Sequence, residues 1–210
     1  MSDPMCLLIH KPSAAAVPDA LLDSAADYNP HGYGLMAFVD GGTLVVERRA
    51  DTKKSELLAL YREFRDYECV WHLRYRTSGA IDEPNTHPIR ITPQLYLAHN
   101  GTVNLQRRDP QRSDTWHLVD DYLRPVLARR PELLHDEFFQ ELVTTWCGPH
   151  NKFVFMDGES HRTVIVNRAG GVEVEGLWLS NTRWFDASRF AWRQAGATQD
   201  AAGPRLRFTT

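Results

Sequence analysis

The chain holds 210 residues, 42% of them hydrophobic and 24% charged, with a formal net charge of −3. That is enough apolar material for one sizeable core, so a single domain is expected. The near-neutral balance gives no electrostatic reason to expect a nucleic-acid or membrane partner, and no apolar run nears the roughly 20 residues of a membrane span.

The cysteines, Cys6, Cys69 and Cys147, show no zinc-ligand spacing, and their odd number argues against a disulfide framework. The nine His residues show no metal-ligand pattern either, so neither a metal nor a cofactor is expected. No signal peptide is visible, which makes the cytoplasm the default location.

In chain order, Cys6 to His10 reads as a short apolar strand, and Pro18 to Tyr28 as a helix with Leu21, Leu22, Ala25 and Tyr28 on one face. A breaker-rich turn spans Asn29 to Gly34. Two strands, Leu35 to Val39 and Thr43 to Arg48, are joined by Asp40-Gly41-Gly42, a hairpin signal. Lys53 to Arg65 is an amphipathic helix with Leu57, Leu60, Tyr61 and Phe64 inward. Strands follow at Cys69 to Tyr75 and Gln94 to His99. The stretch between them, Arg76 to Pro93, reads as a long loop with Pro84, Pro88 and Pro93. Helices are expected at Trp116 to Leu127 and Glu132 to Trp146, then strands at Lys152 to Met156, Thr163 to Val166 and Gly176 to Ser180. The tail after Gly196 reads as loosely held. Strands in hairpins and helices in groups favour an antiparallel α+β layered domain.

Four features carry chemistry. Cys6 is either a small buried hydrophobe at a strand start or a nucleophile whose own α-amine takes the thiol proton. That amine titrates near pH ~7.7–8.0 and needs no separate base. The segment 1–5 blocks it, so either Met5 is the true start, or the leader is cut off, or the nucleophile lies elsewhere. Arg74 opens a Gly-containing loop, with Thr77 in the same turn. It is either a surface cation paired with an acid or a two-pronged carboxylate clamp. Asn100-Gly101 is either a turn or an oxyanion hole made of a side-chain amide and a backbone N–H. Ser113-Asp114 is either a helix cap or a site for an ammonium group. An Arg for a carboxylate and an Asp for an ammonium describe an amino-acid substrate.

These segments resemble the glutaminase domain of class II glutamine amidotransferases, within the N-terminal nucleophile (Ntn) hydrolases. The matching residues, in the family's order, are Met5-Cys6, Asn29-Pro30-His31-Gly32-Tyr33-Gly34, His72-Leu73-Arg74-Tyr75-Arg76-Thr77, Asn85-Thr86-His87-Pro88, His99-Asn100-Gly101 and Ser113-Asp114-Thr115. The resemblance implies a four-layer αββα sandwich of antiparallel sheets. It implies that Cys6 is the nucleophile, that Asn100 and Gly101 form the oxyanion hole, that Arg74 with Tyr75 and Thr77 holds the α-carboxylate, and that Asp114 holds the α-ammonium. His72, His87 and His99 would shape loops rather than move protons. His31, Arg76 and Trp116 depart from the family pattern, which bears on the fit of the substrate.

The domain organisation expected is a leader (1–5), a glutaminase-like domain (6–195) and a tail (196–210). The function expected is release of ammonia from glutamine through a Cys thioester, with the chain acting alone or supplying an ammonia-accepting synthetase subunit. The alternatives are hydrolysis of another γ-glutamyl amide and a non-catalytic amino-acid-binding module.

Overall fold

The computed structural model describes residues 5–185. Leader residues 1–4 and the tail from 196 lie outside the described residues.

The strands form two antiparallel sheets. The first runs β3 (Thr43–Arg49), β2 (Tyr33–Val39), β4 (Glu68–Leu73), β1 (Leu7–Lys11), β10 (Leu177–Leu179) and β9 (Val172–Val174). The second runs β5 (Ile89–Thr92), β6 (Leu95–Asn100), β7 (Lys152–Asp157) and β8 (Arg162–Val166). Helices α1 (Asp19–Tyr28) and α2 (Lys54–Phe64) lie against the first sheet. Against the second lie α3 (Asp114–His117), α4 (Arg124–Leu127) and α5 (Glu137–Cys147), with a π-helical segment, Leu118–Leu123, joining α3 to α4.

Side-chain alternation along each strand explains the layering, because successive residues face opposite sides of a sheet. On β1, Leu7 and Ile9 join Leu21, Leu22, Leu57 and Tyr61 in a helix-on-sheet core, whereas Leu8 points the other way. On β7, Phe153 and Phe155 pack beneath Leu118, Leu127 and Val143, while Val154 and Met156 face the first sheet. Leu8, Met36, Val70, Ala98, Val154, Met156 and Trp178 form the layer between the sheets. Three cores separated by two sheets make a four-layer αββα sandwich, the fold class expected.

Several boundaries differ from the sequence reading. The segment 76–93 is not all loop: Ile89–Thr92 is the edge strand of the second sheet. Ile89 and Ile91 are buried and Arg90 is exposed, a short alternation bracketed by Pro88 and Pro93, which an edge strand tolerates. The helix expected from Glu132 divides into a 3₁₀ turn, Pro131–His135, and α5, because the Asp136 carboxylate accepts from Phe139 N and starts the helix anew. Strand β9, three residues long, had no signal. Tyr28, assigned to the inward face of α1, is 46% exposed at its C-terminal end.

Candidate active site

The same alternation that builds the inter-sheet core builds the site. At one end of that layer the apolar residues give way to polar ones on the same faces. In line with Leu8 comes Cys6, just before β1; with Val70 come His72 on β4 and Arg74 just after it; with Ala98 comes Asn100 at the end of β6; and with Trp178 comes Ser180, just after β10. Antiparallel pairing of Leu7 with Leu73 and of Ile9 with Leu179 brings these ends together. Cys6, His72 and Arg74 line a small cleft at this end, together with Tyr75, Thr77, Gly101 and Asp114, among others.

Cys6 is half-buried, and its Sγ lies 3.3 Å from both the backbone N and O of Tyr75. Burial pushes the thiol up to about 11. The Tyr75 N–H and the Arg74 charge pull against it, and Asp114 adds to it. With Met5 attached, the sulfur is therefore a neutral thiol at pH 7.

Arg74 is 4% exposed, and among the described residues no acid forms an ion pair with it. Its Nη2 donates to the carbonyls of Ser78 (3.3 Å) and Ala80 (2.8 Å), while its buried Nη1 has no partner. The surface-cation reading therefore fails. Burial lowers its pKa, yet a guanidinium stays charged.

The loop around Arg74 is held by Asn85. Its Nδ2 donates to Asp82 Oδ1 (2.6 Å) and to Gln111 O (2.8 Å), and its Oδ1 accepts from Ser113 N (2.7 Å). Gly79 has φ +72°, and a Cβ there would sit 2.7 Å from Ser113 N, so only glycine allows the two loops to meet. Asp114 accepts from Val103 N (2.7 Å) and from the Ser78 hydroxyl (3.1 Å). Ser113, not Asp114, caps α3 by accepting from Trp116 N. The capping and pocket readings thus fall on adjacent residues.

Three buried histidines form the floor. His87 Nδ1 lies 3.4 Å from His99 N and 3.0 Å from His72 Nε2. His99 Nε2 lies 2.8 Å from Asn151 Oδ1, an acceptor, because Asn151 Nδ2 donates to Cys147 O. His99 Nδ1 then accepts from the Thr115 hydroxyl at 2.7 Å. Burial lowers the pKa of all three and keeps them neutral. At Gly101, with φ +148°, a Cβ would sit 2.2 Å from Asn151 Oδ1, so the His99–Asn151 contact requires glycine there.

Asn100 lies behind the cleft wall at 1% exposure. Its Nδ2 is 2.7 Å from Ser180 Oγ, and its Oδ1 has no partner. Asn181 Nδ2 donates to Cys6 O at 2.8 Å. The structure thus gathers every expected site residue at one end of the layer, with six on the cleft wall and Asn100 behind it. Sequence reasoning missed Ser78, Ser180 and Asn181. For Ser180 the signal was present, a polar residue on the inward face of an otherwise apolar strand.

Thr77 and Tyr75 stand at the mouth, Thr77 exposed and the Tyr75 ring edge-on to His31 at 5.0 Å. Among the described residues no helix is long and apolar enough to cross a membrane.

Comparison with known proteins bears on this arrangement. No curated protein matches the chain. Among solved structures it is similar to the glutamine phosphoribosylpyrophosphate (PRPP) amidotransferase from B. subtilis complexed with ADP and GMP, at 15% identity and a TM-score of 0.49. The alignment covers 87% of this chain and 43% of that one, so the chain spans less than half the length of that protein. Residues 10–126, more than half of the chain, match the model of the class II glutamine amidotransferases, beginning just after Cys6 and running past Asp114. The chain belongs to the class II glutamine amidotransferase family.

Proposed function

We propose that the chain is a glutamine amidohydrolase whose nucleophile is Cys6, acting once the segment 1–5 no longer occupies the α-amine. The observation that carries this reading is a buried guanidinium with an N–H free of any partner, Arg74 Nη1, on the same cleft as a thiol. A carboxylate is the natural acceptor for that N–H. The amine of Cys6 takes the thiol proton, and the sulfur adds to the glutamine carboxamide carbon. Gly101 N–H and the Asn100 amide hold the oxygen that becomes negative. The amine's proton passes to the leaving nitrogen, ammonia departs, and water opens the thioester to give glutamate. Arg74, flanked by Tyr75 and Thr77, holds the α-carboxylate, and Asp114 faces the α-ammonium.

In this reading residues 6–195 form the working domain, and the ammonia is released or taken up by a synthetase subunit. Another γ-glutamyl amide as substrate would use the same groups, with His31 and Tyr75 at the mouth deciding what is admitted. A second reading, a binder without catalysis, is favoured by one observation: with residue 5 in place, Cys6 is a neutral thiol without an adjacent base. Intact mass combined with an ammonia assay on glutamine separates the two. A species beginning at Cys6 that releases ammonia supports the enzyme, whereas a persistent leader with saturable glutamine binding and no ammonia supports the binder.

A further inference from the structure

The contact between Asn100 and Ser180 is inconsistent in its protons as it stands. Ser180 Oγ receives three donors: Leu8 N at 2.9 Å, Asn100 Nδ2 at 2.7 Å and Asn181 Nδ2 at 3.4 Å. A hydroxyl oxygen has two lone pairs, and its own proton here has no acceptor. Meanwhile Asn100 Oδ1, an acceptor, is buried without a donor. The oxygen and nitrogen ends of an amide are alike in shape, so the surrounding network decides which way it faces. Turning the Asn100 amide over resolves the conflict at Ser180 and leaves the NH₂, rather than Oδ1, as the end without a partner. The Ser180 proton goes to Asn100 Oδ1, and Leu8 N–H and Asn181 Nδ2 take the two lone pairs. The 2.7 Å separation is also the usual length of an O–H···O bond rather than an N–H···O bond.

We propose that Ser180 is a positioning residue: its hydroxyl donates to Asn100 Oδ1 and so turns the Asn100 NH₂ away from Ser180, leaving it as the free donor of the oxyanion hole. The role rests on the glutaminase reading, whereas the contact does not. It also explains why this serine ties three strands. Its N donates to Leu8 O at 3.0 Å, two residues from Cys6, and its side chain reaches β6 on the opposite sheet. The nucleophile's strand and the oxyanion donor are thereby set from a single residue. Without that hydroxyl, Asn100 samples both orientations, and only one presents a donor.

Two measurements test this. In steady-state ammonia release from glutamine, Ser180→Ala should lower kcat by about 10- to 100-fold with KM unchanged. Ser180→Thr, which keeps the hydroxyl and the acceptor for Leu8 N, should recover most of the loss. In an Asn100→Ala background, Ser180→Ala should cost nothing further. Losses that multiply in the double variant would overturn the positioning role while leaving the glutaminase intact. An equal loss in Ser180→Thr, at an unchanged melting temperature, would overturn it too. A neutron structure reads the contact directly. A Ser180 deuteron aimed at Asn100 supports the proposal, and Asn100 deuterons aimed at Ser180 sink it, whether or not glutamine is consumed. A parent protein that releases no ammonia sinks the glutaminase reading and the role built on it, and the neutron map then decides the contact alone.

Discussion

The layer between the two sheets is polar at both ends, and the ends are built differently. At the far end, His10 Nε2 lies 3.0 Å from Glu68 Oε1, and the Thr163 hydroxyl donates to the same oxygen at 2.6 Å. These groups join β1, β4 and β8 and largely satisfy one another. At the cleft end, four buried side chains each keep one polar atom without a partner among the described residues: His72 Nδ1, Arg74 Nη1, His87 Nε2 and one end of the Asn100 amide. The far end contributes one such atom, His10 Nδ1. A buried donor or acceptor without a partner costs about 1–3 kcal/mol, so the two ends differ in how fully the protein's own groups satisfy them. The far end ties the sheets together, and the cleft end is where the proposed glutaminase reading places the substrate.

The sharpest way to break that contrast is at Cys6, the proposed nucleophile. Cys6→Ala should abolish ammonia release from glutamine, whereas Cys69→Ala should retain it, since Cys69 is fully buried and its Sγ accepts from Trp71 Nε1. Burial raises both thiols, to about 11 for Cys6 and about 12 for Cys69, so acidity does not distinguish them. Access to the cleft and a freed amine do. A glutamine-like electrophile should therefore label Cys6 and spare Cys69 and Cys147, read by peptide mass. Activity surviving in Cys6→Ala would move the nucleophile elsewhere.

The next effect in size is at Asn100, the proposed oxyanion donor. Asn100→Ala should lower kcat by roughly 100- to 1000-fold. A loss of only a few-fold would place Asn100 among the structural ties, like the residues of the far end. Arg74→Lys comes after it and should act mainly on KM, raising it by about 10-fold or more. An ammonium cannot hold the Ser78 and Ala80 carbonyls and still present a planar N–H to a carboxylate. An unchanged KM for glutamine would remove Arg74 from the clamp.

How much of this was legible in the sequence follows from which interactions are local. Hairpins, helix faces and the motif residues are set by near neighbours and by residue type, so Cys6, Arg74, Gly101 and Asp114 could be named before their proximity was visible. The edge strand at Ile89–Thr92 was hidden because two isoleucines between prolines make too short a pattern to outweigh the breakers. The roles of Ser180 and Asn181 were hidden for a different reason, although Ser180 stood out as a polar residue beside an apolar strand. Their partners lie 80 and 175 residues away in sequence, at Asn100 and Cys6. Such pairs are fixed by sheet register and packing, which one chain read alone does not reveal. The partnerless atom on Arg74 is of the same kind, since a sequence names a guanidinium but not which of its nitrogens remains free.

The smallest expected effect tests the far end and should leave the cleft untouched. The bond to His10 holds the Glu68 carboxyl below its ordinary value, with the Thr163 hydroxyl adding to this and burial opposing it. A carboxylate whose folded pKa is depressed releases its proton more readily in the folded state. Its contribution is therefore fully present above the unfolded value near ~4.3 and fades as pH falls through the lower folded value. Glu68→Gln removes that dependence. Between pH 7 and pH 3, the variant's unfolding free energy in urea should fall less than the parent's, by about 1 kcal/mol for a partly exposed pair. Its kcat and KM for glutamine at pH 7 should match the parent's. A Glu68→Gln variant that loses activity at unchanged stability would mean that the two ends of the layer are coupled, and the division between tie and site would have to be redrawn.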